Sequence, residues 1–139
     1  VLDDLCSRIA WPSDLAVYHR GMMHILETTR KKTPSAVNMT GIGYRVPMLQ
    51  TGLGRAWLAF CTDAEREKIV AELRRSDNPF DRAAREPETV AAIIEETRSK
   101  GYGTRVPGFT LRAEGEDKTN GVAVPVMMRG RVIACVSLV

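Results

Sequence analysis

A chain of 139 residues is about one domain's worth of sequence, and buries roughly two-thirds of its unfolded surface without a disulfide or a metal. Apolar residues make up 44% and charged ones 27%, which excludes disordered, collagen-like and disulfide-stapled classes. The net charge of +3 is modest, and no stripe of cations has the strength of a dedicated nucleic-acid surface; the densest run, Arg30-Lys31-Lys32, reads as a solvated loop.

Each apolar run is broken by a charge, Pro or Gly well short of the roughly 20 residues a membrane span needs, and no basic-then-apolar leader is present. Cys6, Cys61 and Cys135 lie far apart inside apolar stretches. They read as reduced core residues of a cytoplasmic protein, neither a disulfide framework nor a metal site.

In chain order, Leu2, Leu5, Cys6 and Ile9 follow helical spacing with no capping residue before them, and the helix stops at Trp11-Pro12. Val1 is not an initiator Met, so the chain reads as one domain, 1–139, of a longer protein. Residues 15–19 and 22–27 then form a hairpin around Arg20-Gly21. Three helices fill the middle. The first covers about 51–60 with Leu53, Ala56, Trp57 and Phe60 inward. A capping box, Thr62-x-x-Glu65, opens the second, which runs to about Arg75 with Ile69, Val70 and Leu73 inward. The third starts at Pro87, turns Val90, Ile93, Ile94 and Thr97 to one face, and ends at Gly101.

A closing hairpin, 122–127 and 131–138, turns at Gly130, and its last strand is apolar on both faces, the pattern of a central strand covered above and below. Pro125 belongs at an edge, a bulge or an unpaired position. Strands at both ends with helices between predict an α+β fold, a central antiparallel sheet with helices on both faces. Residues 28–50 and 104–120 resist regular assignment, and irregular segments of that length are uncommon in compact domains unless functional or disordered. Apolar bulk such as Met39 and Tyr44 in the first suggests a covered cavity, or a plug for the open end of the sheet.

No catalytic residue stands out. His19 and His24 straddle a turn without a matching Cys or carboxylate, so no metal site is expected. There is no Gly-x-Ser-x-Gly elbow, Walker loop or His-Glu-x-x-His, and Thr51-Gly52-Leu53-Gly54-Arg55 is a weak dinucleotide fingerprint. No cofactor is implied. Cys135, in an apolar strand, should have a raised pKa, the wrong direction for a nucleophile. The Thr51-Gly52-Leu53 segment suits an anion better, because the first amides of a helix lack internal partners and sit at its positive end. Gly52 would let a ligand approach the backbone, while Thr51 could equally be an ordinary N-cap. Ser137, a hydroxyl on the buried last strand, needs a partner, either backbone or ligand.

The stretch 44–60, YRVPMLQTGLGRAWLAF, resembles the "RxPL…G(K/R)AxLA" core of IclR-type transcriptional regulators. ERE at 65–67, ETRSKGYG at 96–103, VAVPV at 122–126 and GRVIACVSL at 130–138 follow in the family's order. Within the family the wording is most similar to MhpR-like regulators of aromatic (phenylpropanoid) catabolism. The resemblance implies a GAF-like effector-binding domain, with an N-terminal winged helix-turn-helix, absent here, as the part that meets DNA. It also implies a homodimer or homotetramer, no membrane partner, and a small organic acid or aromatic effector.

Carried over by position, the family's anion-contacting backbone falls on Gly52 and Leu53, its last-strand hydroxyl on Ser137, and a strand residue that is sometimes Cys on Gly121. Loop residues lining the pocket fall near Ser35 to Met39, Asn38 among them. Thr104 and Arg105 stand where some members have an acid, which argues against a very small keto-acid. The resulting expectation is an aromatic carboxylate held by the Gly52 and Leu53 amides beside Thr51. Ser137 and Arg105 would be polar supplements, and Met39, Ala123 and Cys135 would face the ring. A purely structural oligomerisation domain and a small GAF-like enzyme are the competing readings.

Overall fold

The structure, a computed structural model, describes residues 2–9, 11–29, 43–109 and 121–138. Helix α1 (Leu2–Ile9) ends before Trp11-Pro12, where the proline ring forbids another helical turn. Strands β1 (Ser13–His19) and β2 (Met22–Thr28) form the first hairpin, and β5 (Val122–Met128) with β6 (Arg131–Leu138) the last. Both turns place two successive residues at positive φ, Arg20 and Gly21 at 48° and 80° and Arg129 and Gly130 at 51° and 75°. That backbone matches the right-handed twist of paired strands, so the same two-residue solution recurs at both ends of the chain.

Two short strands complete the sheet, β3 (Arg45–Pro47) and β4 (Gly103–Thr104), in the order β3-β2-β1-β6-β5-β4, every pairing antiparallel. β3 falls in the 28–50 stretch that the sequence leaves irregular, and β4 straddles the start of the 104–120 one. Three residues ending in Pro carry no readable alternation, and β3 is an edge, where a missing amide costs least. Asn38, Met39 and the Arg30-Lys31-Lys32 run lie outside the described residues.

The helical layer is α2 (Gly52–Phe60), α3 (Asp63–Arg75), the 3₁₀ segment Pro79–Arg85 and α4 (Pro87–Lys100). Helix α2 lies on the sheet and carries α4 on its other side, so Gly52, Leu53, Gly54, Ala56, Trp57, Leu58 and Ala59 are all buried. Its C-terminal carbonyls are closed by cations. Arg66 of α3 donates to the carbonyls of Leu58, Ala59 and Cys61, and Arg98 of α4 donates to Ala59. The capping box on α3 is half formed. Thr62 Oγ1 accepts from the Glu65 amide, but the Glu65 carboxylate accepts from Trp57 Nε1 at 3.1 Å and so ties α3 to α2. Gly101 at φ 83° ends α4 with a left-handed residue, as its position predicts.

The last strand is central, and both of its faces are largely covered: Cys135 and Ser137 are buried under α2, and on the opposite face Ala134 is buried with Val136 and Leu138 half-buried. Ile133, 43% exposed, falls at the register shift between β5 and β6.

Glycines fix how closely α2 approaches its neighbours. A Cβ on Gly52 would meet the Gly103 carbonyl oxygen at 2.8 Å, and one on Gly103 would meet the Gly52 oxygen at 2.1 Å. A Cβ on Gly54 would lie 2.2 Å from the Met48 oxygen. Backbone therefore packs on backbone at the first turn of α2. Gly103→Ala should lower stability by about 1–3 kcal/mol in urea unfolding, the usual cost of overpacking. An unchanged midpoint would contradict this contact.

Candidate ligand-binding site

The site begins with the first turn of α2. Thr51 is its N-cap: Oγ1 accepts from the Gly54 amide at 3.1 Å and donates to the Pro47 carbonyl at 2.7 Å. The Arg55 amide reaches the Thr51 carbonyl. Among the described residues no acceptor meets the Gly52 or Leu53 amide, and the first turn of α2 holds no acid to offset its positive end. Thr51 thus takes the bland role the sequence allowed it, and that role leaves the two preceding helical amides open.

One expectation is corrected here. Gly52 is bare because strand β4 presses on it, its absent Cβ facing the Gly103 carbonyl, so the space at its Cα belongs to the protein backbone and not to a ligand.

The sheet supplies the floor. Gly103 pairs with Ala123, Ala123 with Ser137, and Ser137 with Asp14, so one row crosses β4, β5, β6 and β1. Directly paired residues project to the same face. A Cβ on Gly52 would lie 3.4 Å from that of Ala123, which places the row on the α2 side. One step along, Ala16 pairs with Cys135, and both are fully buried. The structure thus gathers Gly52, Leu53, Ala123, Cys135 and Ser137 beneath or within α2, while Gly121 stands half-buried just before β5.

Ser137 is the telling member. It is 5% exposed, and its Oγ is buried without a hydrogen-bond partner among the described residues. A buried hydroxyl left unmatched costs about 1–3 kcal/mol, which is tolerated where something else completes it. The Gln50 Oε1 is likewise buried and unmatched, while its amide nitrogen donates to the Phe80 carbonyl and its own carbonyl accepts from the Val106 amide. Sequence reasoning missed Asp14, 1% exposed beside Ser137; its signal was an acid at the inward position of a core strand.

Arg105 lies over the Phe109 ring at 5.5 Å, and Phe109 in turn meets Phe80 edge-on. His19 and His24 make an edge-on ring pair on the first hairpin, and burial followed by His19 and Arg45 pushes the His24 pKa down. No group of three or more metal-ligating side chains exists among the described residues, and none of their helices is long and apolar enough to cross a membrane.

A cavity of about 390 Å³ opens elsewhere, between the first hairpin turn and α3, lined among others by Arg20, Glu72, Arg75 and Asp81. Its walls are engaged with one another. Tyr18 donates to Glu72 at 2.6 Å, and burial, then this bond, lifts the phenol pKa well above its usual range. Asp81 is raised by burial and hydrogen-bonded to Ser76. The unmatched donors beneath α2 are stronger evidence for a ligand than this mixed-charge hollow.

The family model described as "Bacterial transcriptional regulator IclR C-terminal" matches residues 1–139. Among solved structures, an IclR homologue from Microbacterium hydrocarbonoxydans complexed with 4-hydroxybenzoate is 24% identical with a TM-score of 0.71, over 97% of this chain and 52% of that one. The Thermotoga maritima IclR is 20% identical with a TM-score of 0.71, over 99% of this chain and 53% of that one. The inducer-binding domain of the Acinetobacter PobR double mutant, in complex with 3-hydroxybenzoic acid, is 18% identical with a TM-score of 0.67, over 99% of this chain and 77% of that one. The chain spans about half the length of the first two.

The thiols give a direct check on burial. Burial pushes the Cys61 thiol up to about 11 and Cys135 up to about 12, from an ordinary 9.0. The unfolded chain therefore loses these protons first. Their contribution to stability is intact below the ordinary thiol value and falls away as the pH climbs through the folded values. In a Cys6→Ser background, native thiol labelling at pH 8 should be slower than in denaturant by 100-fold or more. Labelling at equal rates would show Cys135 to be open.

Proposed function

The chain belongs to the family of bacterial transcriptional regulator IclR C-terminal domains, and from that premise we propose that it senses an aromatic carboxylate. The family consists of regulator domains rather than enzymes. The observation that carries the reading is the buried, unmatched Ser137 hydroxyl on the floor that also holds Ala123, in contact range of the α2 turn whose Gly52 and Leu53 amides have no acceptor among the described residues.

The carboxylate accepts from those amides, each charge-assisted bond contributing about 1.5–3 kcal/mol, with the helix dipole adding up to about 2 kcal/mol. Ala123 and Cys135 face the ring, and Ser137 supplies a polar contact away from the carboxylate. Gly121 leaves room for a ring. Arg105 adds positive charge nearby. The ligand class is a benzoate or phenylpropionate of the kind MhpR-like regulators sense. Two neighbours support it, their structures holding 4-hydroxybenzoate and 3-hydroxybenzoic acid.

In the full-length protein an N-terminal winged helix-turn-helix carries DNA binding, and dimers or tetramers assemble through this domain. The exposed Val122, Val124 and Ile133 on the outer sheet face support assembly with further copies. A ligand changes DNA binding only if it binds two arrangements of the assembly with different affinity, so the pocket must differ between them.

Calorimetry with a panel of aromatic acids checks the reading. Leu53→Pro removes the amide at the second helical position together with a buried side chain, so with its unfolding midpoint read alongside it should weaken binding at least tenfold. Ser137→Ala should weaken binding severalfold while leaving unfolding stability unchanged or higher, because the hydroxyl has no protein partner to lose. A stability loss at Ser137→Ala without an affinity change would make Ser137 a structural residue, and failure of every acid to bind would overturn the proposal.

A further inference from the structure

We infer that the hollow between the first hairpin turn and α3 is a second small-molecule site, shaped for a zwitterionic amino acid with an apolar side chain. It stands apart from the first turn of α2 and does not depend on the aromatic-acid reading. The hollow measures about 390 Å³, within the range of small-ligand pockets. Two cations and two acids share its lining: Arg20 from the hairpin turn, Glu72 and Arg75 from α3, and Asp81 from the 3₁₀ segment. Among the described residues neither Arg20 nor Arg75 makes an ion pair or a hydrogen bond. Both signs of charge thus face one space without neutralising each other.

The local structure keeps them apart. Glu72 and Arg75 are three residues apart on one helix face, a spacing at which an acid and a base commonly pair. The Tyr18 phenol takes Glu72 instead, donating to it at 2.6 Å while accepting from the Gly21 amide at 3.0 Å. That chain of bonds pins the hairpin turn to α3. Arg20 is fixed beside it at φ 48°, the first residue of a two-residue turn with little conformational freedom. Asp81, 5% exposed, is engaged by Ser76. Burial, and then the Glu72 charge, disfavour its ionised form, so an arriving ammonium group stabilises it more than it would an isolated surface acid.

The acids are held by neutral hydroxyls, which leave their charge uncompensated. A lone anion entering here is repelled by Glu72 and Asp81, and a lone cation by Arg20 and Arg75. A molecule that carries both charges a few bonds apart answers both pairs. Its carboxylate accepts from the guanidiniums, whose forked donors suit that group, and its ammonium donates to Asp81 and Glu72. Met22 and Leu73 supply an apolar wall for the side chain.

Calorimetry at about pH 6.5 with L-leucine, L-methionine and L-phenylalanine tests the site. Each is compared with its N-acetyl form, which keeps only the negative charge, and its carboxamide, which keeps only the positive one. At least one amino acid should bind with a Kd below about 1 mM, and both of its single-charge analogues at least tenfold more weakly. Arg20→Gln and Arg75→Gln, both at exposed positions, should each weaken it fivefold or more. In an amide NMR titration Gly21 and Met22 should shift while Gly52 and Leu53 stay in place. Failure of all three amino acids to bind, analogues that bind as well, arginine variants with unchanged affinity, or shifts centred on Gly52 and Leu53 would each overturn the proposal.

Discussion

At the first turn of α2 two polypeptide backbones meet with no side chain between them. Gly52 and Gly103 face each other so closely that a methyl on either would strike the other's carbonyl, and Gly54 seats against Met48 in the same way. This contact does two things. It seals the short edge strand β4 onto the helix, and it sets the helix N-terminus directly over the row Gly103–Ala123–Ser137–Asp14. An α-helix always presents unpaired amides at its start. Here they begin a helix packed on the sheet, with Gly52 and Leu53 both buried.

The polar groups of that floor make sense only together. Ser137 alone is a small energetic defect, and Asp14 alone is a buried acid of the sort folded proteins avoid. Ser137 and Asp14 lie side by side in the β1–β6 register, with buried Ala123 and Cys135 as their apolar neighbours on β5 and β6. The buried, high-pKa Cys135 thiol acts there as a small hydrophobe rather than as a nucleophile.

Much of this architecture is written in local sequence. Arg20-Gly21 and Arg129-Gly130 specify their turns, Pro87 and Gly101 bracket α4, and Thr62 starts α3, because each acts on its immediate neighbours and needs no tertiary context. What stayed hidden is what depends on a distant partner. Strands of two or three residues, such as Gly103–Thr104, exist only because β5 accepts them. Gly52 reads locally as an opening for a ligand, but its true neighbour lies 51 residues further along, at Gly103. Ile133 has the alternation of buried Cys135 and is still exposed, since the β5–β6 register shift beside it cannot be read from alternation. Of the residues the sequence singles out, Ala123 and Ser137 share a row of the sheet that Gly52 approaches, whereas Asn38 and Met39 fall outside the described residues.

The central claim is that the Gly52 and Leu53 amides receive the carboxylate. The most direct measurement is an amide proton–nitrogen NMR titration of the labelled chain with a hydroxylated aromatic acid. The account predicts that the Gly52 and Leu53 amide protons move furthest downfield and gain protection from solvent exchange, with smaller shifts along Ala123, Ser137 and Asp14. Shifts centred instead on Arg20, Gly21 and Met22, at the cavity beside the first hairpin, with Gly52 and Leu53 unmoved, would contradict it.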